Sequence, residues 1–134
     1  MSVVSYEDRV PSGLAAMLGG LIEANLAADP SRRSLLRPAV AAIVATDADV
    51  RVTLSLSRGG VRVGSGGDPQ VTVRADSDAL LALTSAPLRF GFPDAFSKEG
   101  RRLLGMIARR EIVVDGLARH PLVVSRLTRL LSVV

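Results

Sequence analysis

Residues 71–131, VTVRADSDALLALTSAPLRFGFPDAFSKEGRRLLGMIARREIVVDGLARHPLVVSRLTRLL, decide the fold. Val71, Val73 and Ala75 alternate with Thr72 and Arg74, which is the period of a half-buried strand. Asp76-Ser77-Asp78 supplies a cap and first-turn negative charge for a helix carrying Leu80, Leu81 and Leu83 to about Ser85. All three phenylalanines, Phe90, Phe92 and Phe96, fall in or just after a proline-flanked connection, Pro87 to Pro93. Phe90 and Phe92 suit a lid over an apolar space, whereas Phe96, just before a helix, reads as a core plug. A helix from about Ser97 to Arg109 bears Leu103, Leu104 and Ile107. It leads into a strand from Glu111 to Asp115, which Gly116 ends. Pro121 suits the first turn of a closing helix. Its stripe is Val123, Leu127, Leu130 and Val134, with Arg126 and Arg129 off that stripe.

Upstream, residues 1–11 lack periodicity and read as a tail. Ser12 is the expected N-cap of a helix to about Ala28, along which Leu14, Met17, Leu18, Leu21, Ile22 and Leu26 recur at helical spacing. Gly19 and Gly20 in its middle mark a close approach or a kink. A short helix begins at Asp29-Pro30-Ser31 and must stop before Pro38. Val40 to Thr46 reads as a buried strand. Val50, Val52, Leu54 and Leu56 alternate with Arg51, Thr53, Ser55 and Ser57, the clearest half-buried strand in the chain. Gly59-Gly60 turns it back into Val61–Val63. The glycine-rich segment Gly64–Pro69 precedes no helix, so it lacks the helix N-terminus of a phosphate cradle and reads as a hairpin loop.

Three features together resemble the sterol-carrier-protein family, most closely its bacterial single-domain members. One is the meander Val50–Ser57, Val61–Val63, Gln70–Ala75 passing straight into an Asp-capped, leucine-rich helix. Another is the Ile112–Gly116 strand reached from a helix, and the third is the terminal amphipathic helix. The resemblance spans about Val40 to Leu131. It implies a domain that encloses a greasy molecule, with the final helix walling an apolar cavity.

The composition agrees with a binding role. Aromatics make up 3% of the chain, so core and cavity walls alike must be aliphatic. No cysteine is present, which excludes disulfides and thiol chemistry. His120 is the single imidazole and cannot build a histidine metal cluster; beside Pro121 it reads as a helix-start residue. The carboxylates Asp29, Asp47, Asp49, Asp68, Asp76 and Asp78 fall in turns and caps. No enzyme activity, cofactor or metal is expected. The N-terminus lacks the early basic residue of a secretory signal, and no apolar run approaches the roughly 20 residues of a membrane span, so the chain reads as soluble and cytoplasmic. Residues 1–95 carry a net charge of −1 and residues 96–134 one of +5. That C-terminal excess either attracts an anionic surface or solvates two helices.

The expected architecture is α+β. A mostly antiparallel sheet of about five strands is covered on one face by helices that enclose an apolar cavity, with residues 12–134 as one sterol-carrier-like domain. The expected function is non-catalytic binding, and transfer, of a sterol, hopanoid, fatty acyl or isoprenoid lipid. Leu81, Phe90, Phe92, Leu104, Ile107, Val123, Leu127 and Leu131 are the candidate wall, and Arg126 and Arg129 would steer the mouth to anionic membrane. The alternative is a packed interaction module whose last helix docks a partner or a second copy. Nucleic acid is not expected, because aromatics for base stacking are scarce.

Overall fold

Alternation at Val50, Val52, Leu54 and Leu56 commits one side of that strand to the core, and a sheet is built around it. The computed structural model describes residues 3–7, 9, 12–85, 88–89 and 92–132. In chain order the elements are β1 (Val4–Tyr6), α1 (Gly13–Ala28), a 3₁₀ helix (Pro30–Leu35), β2 (Ala39–Ala45), β3 (Val50–Ser57), β4 (Gly60–Gly64) and β5 (Val71–Ala75). There follow α2 (Ser77–Ser85), β6 (Leu88–Arg89), β7 (Phe92–Pro93), α3 (Lys98–Ala108), β8 (Ile112–Asp115) and α4 (Pro121–Leu131).

Six strands form the main sheet in the order β1-β4-β3-β2-β5-β8, and β6 and β7 pair separately. The sixth strand, beyond the five expected, is β1, which lies parallel to β4 with Val4 opposite Val61. Three residues are too few for a period to show, which is why this stretch reads as a tail. Three of the five pairings are antiparallel, so the sheet is mostly antiparallel as expected. The Gly64–Pro69 segment is not a hairpin loop, however. It carries the chain past β3 and β2 so that β5 pairs parallel to β2, Ile43 opposite Val73. A nearly continuous apolar strand such as Ala39–Ala45 suits that central place, because it can be buried on both sides.

The helices cover one face. Ser12 caps α1 through Ala15 N at 3.1 Å, and Ile22, Leu18 and Leu26 point into the core. Gly19 lets Tyr6 of β1 lie close against α1, since a Cβ there would meet the tyrosine hydroxyl. Leu127 and Leu130 bury α4, and its last carbonyls are held from across the chain. Asn25 Nδ2 donates to Leu130 O at 2.8 Å, and Arg32 Nη1 donates to the carbonyls of Arg129 and Ser132. A cation at a helix C-terminus also opposes the negative end of the helix dipole. α3 anchors through Leu103 and packs near β8, the sheet edge. Phe96, just ahead of α3, is 77% exposed and does not plug the core.

α2 is pinned at its start. Asp76 Oδ1 accepts from Ala79 N at 2.8 Å, and Asp47 Oδ1 in the β2–β3 turn accepts from Ser77 N at 3.0 Å and Ser77 Oγ at 2.9 Å. The Ser77 hydroxyl, with its backbone N–H, holds the Asp47 carboxyl below the usual carboxylate range.

Two measurements check this arrangement. Gly116 sits at φ +89° and a Cβ there would strike the Gln70 carbonyl, so Gly116→Ala is expected to lower unfolding free energy by about 2 kcal/mol or more. Urea titration reads that loss. Because the Asp47 carboxyl is depressed on folding, its contribution is present above the unfolded pKa and disappears as pH falls through the lower folded value. Asp47→Ala is therefore expected to lower the urea midpoint near neutral pH, and the gap to wild type to shrink in acid.

Candidate functional site

α1 and α2 both rest on the sheet, and the space left between them is apolar. Its inner part lies under α4. Met17 and Leu18 of α1, Ile43 and Val73 of the sheet, Leu80, Leu83 and Thr84 of α2, and Leu127, Thr128 and Leu131 of α4 line it. The room there for the centre of a water-sized sphere is about 40 Å³. An outer groove of about 320 Å³ opens beside it, lined by Gly13, Leu14, Met17, Ala45, Ala48, Val50, Ser77, Leu80 and Leu81. Met17 and Leu80 belong to both linings, so they stand between groove and inner space.

The polar atoms of this lining are already engaged. Thr84 Oγ1 donates to Leu81 O at 2.8 Å and Thr128 Oγ1 to Val124 O at 3.0 Å, each within its own helix. Ser77 Oγ donates to Asp47. The walls therefore present methyl and methylene groups to anything that enters, and attraction comes from apolar burial.

The structure brings together three of the expected wall residues. Leu127 and Leu131 line the inner space, and Leu81, 51% exposed, stands at the outer groove. Val123 is buried on α4 outside both linings. Ile107 packs half-buried against the core, while Leu104 and Phe92 are exposed on the α3 side. Phe90 lies outside the described residues, as does Val134. Arg129 is exposed and Arg126 half-buried, on the outward side of α4 with Leu122. His120 is the N-cap residue of α4 and makes no side-chain capping bond.

Met17, Leu18, Ile43, Val73, Leu80 and Leu83 were not singled out by sequence as wall residues. The helical recurrence Leu14-Met17-Leu18 marks them as one face of α1. It does not say that α2 would be the opposite bank.

No protein-family model matches this chain, and no curated protein matches it. The solution structure of a conserved hypothetical protein of Thermus thermophilus, suggested to be a sterol carrier protein, aligns over 98% of this chain and 93% of its own. Its TM-score is 0.45 at 12% identity. The UbiJ-SCP2 ubiquinone synthesis protein aligns over 88% of this chain and 92% of its own, with a TM-score of 0.62 at 22% identity. At that identity the likeness establishes architecture: the chain has a sterol-carrier-protein-2-like fold.

Proposed function

We propose that the protein binds, without covalent chemistry, the apolar tail of a lipid in the space between α1, α2 and α4. The observation that carries this reading is the pair of adjoining apolar linings with every polar side chain in them bonded internally. The likeness in fold to the UbiJ-SCP2 ubiquinone synthesis protein supports lipid binding in general. A sterol, hopanoid, fatty acyl or isoprenoid chain meets the requirement. Each methylene taken from water contributes about 0.8 kcal/mol, enough to hold a long chain without polar contacts.

The inner space alone is well below the roughly 300 Å³ or more of a ligand pocket, so a tail enters only if Met17 and Leu80 part. Methionine is suited to that role because its unbranched side chain changes rotamer cheaply. A cytoplasmic setting, with transient contact to anionic membrane through the C-terminal arginines, fits the carrier reading. No helix among the described residues is long and apolar enough to cross a membrane. Nucleic acid is not proposed as a partner.

A second reading is an interaction module. Leu122, 66% exposed on α4, and Phe96, 77% exposed ahead of α3, favour it, since large exposed apolar side chains are available to a partner. In that case the protein forms a stable homodimer or captures a partner through the exposed side of α4.

Native mass spectrometry of freshly purified protein, followed by organic extraction, separates the two. The carrier reading expects a lipid adduct, or uptake of added sterol, fatty alcohol or isoprenoid. It also expects Met17→Trp to weaken uptake about tenfold or more by filling the passage. Failure of every lipid to bind, together with a dimer that Leu122→Asp dissolves, would establish the interaction module instead.

A further inference from the structure

The outer groove has walls of one kind and a rim of another. Ala48 in the lining is flanked by Asp47 and Asp49, and Ser77 by Asp76 and Asp78. None of the four carboxylates is itself in the lining, but two have fixed positions next to Ser77, which is. Asp47 accepts from both the N–H and the hydroxyl of Ser77, and Asp76 accepts from Ala79 N at the head of α2. All four side chains belong to exposed residues. Among the described residues, no lysine or arginine lines the groove. Arg51, the one cation adjoining a lining residue in sequence, sends its guanidinium to Gly67 O at 3.4 Å. It alternates with Val50 and Val52 and so occupies the face of the sheet away from the helices.

Two helix N-termini, those of α1 at Gly13 and of α2 at Ser77, also meet this rim. Each presents roughly half a positive charge. Together they offset about one of the four carboxylates, and the rim stays negative.

We infer that the groove selects an amphiphile whose head group is uncharged or cationic, and disfavours one with an anionic head such as a fatty-acid carboxylate. This rests on the lipid-binding reading above and narrows it. The tail sits on the apolar floor, and the head stays at the rim in water, where field and not contact discriminates. No described residue of the positive 96–134 segment lines the groove.

The test uses three amphiphiles of equal tail length: dodecanol, dodecanoate and dodecyltrimethylammonium. Each competes with a fluorescent apolar probe on the full chain, at low salt and near-neutral pH. The alcohol and the ammonium compound are expected to bind about tenfold more tightly than the carboxylate. A variant combining Asp49→Asn and Asp78→Asn keeps Asp47 and Asp76, which cap and pin α2. Asparagine also accepts the positive φ of 52° at position 49. The variant is expected to narrow the carboxylate's deficit several-fold and leave dodecanol unchanged, and circular dichroism confirms that it folds. Equal or tighter binding of dodecanoate by wild type, or a deficit unmoved in the variant, overturns the inference while leaving lipid binding intact. If none of the three displaces the probe, the lipid-binding reading falls and takes the inference with it.

Discussion

Burial of β2 on both faces is the constraint on which the rest of the molecule depends. Ala41 and Ala42, which point to opposite sides, are both wholly buried. A strand so placed must have a partner on each edge, since an unpaired amide in the interior costs more than most side-chain contacts return. β3 takes one edge antiparallel, through the Asp47–Asp49 turn. The other edge is taken by a parallel partner, and a parallel partner needs a crossover. The chain provides it by building β3 and β4 first and returning through Gly64–Pro69. Every later element is placed by that return: β5 beside β2, α2 rising from its end, β8 closing the edge.

The small side chains of β2 also set the space above the sheet. Ala41, Ile43 and Ala45 offer a low floor on which α4 packs, with α1 over β3 and β4 beside it. Asn25 and Arg32 tie the end of α4 to α1 and the 3₁₀ helix. α2 is held differently. Asp47 and Asp76 fix its first turn, while only Ala79 and Leu80 along it are fully buried. A helix pinned at one end and lightly packed along its length is suited to be the movable bank of an apolar groove. Met17 and Leu80 meet where that bank faces the fixed one.

Much of the architecture was legible because its signals are local. The alternation of Val50–Ser57, the Asp76 cap, the Pro121 start and the Gly116 stop each correspond to an observed element or boundary. What was not legible depends on which surfaces face one another. Gln70–Ala75 reads the same whether it neighbours β4 or β2, since alternation reports a buried face and not a partner. Likewise Leu127 and Leu131 were recognisable as buried on α4, but Met17 and Leu18 as their counterparts were not. The aromatic segment illustrates the opposite error. Phe96 was expected in the core on residue type, and it stands in solvent because α3 is already anchored by Leu103 and Ile107 beside it.

The most direct test of tail binding between α1, α2 and α4 is photolabelling with a long-chain alcohol carrying a diazirine near its tail end, mapped by peptide mass spectrometry. The account predicts adducts on the peptides containing Met17, Leu80–Leu83 and Leu127–Leu131, suppressed by excess unlabelled alcohol. Labelling confined to the Phe96 or Leu122 surface, or adducts that no competitor removes, would contradict it.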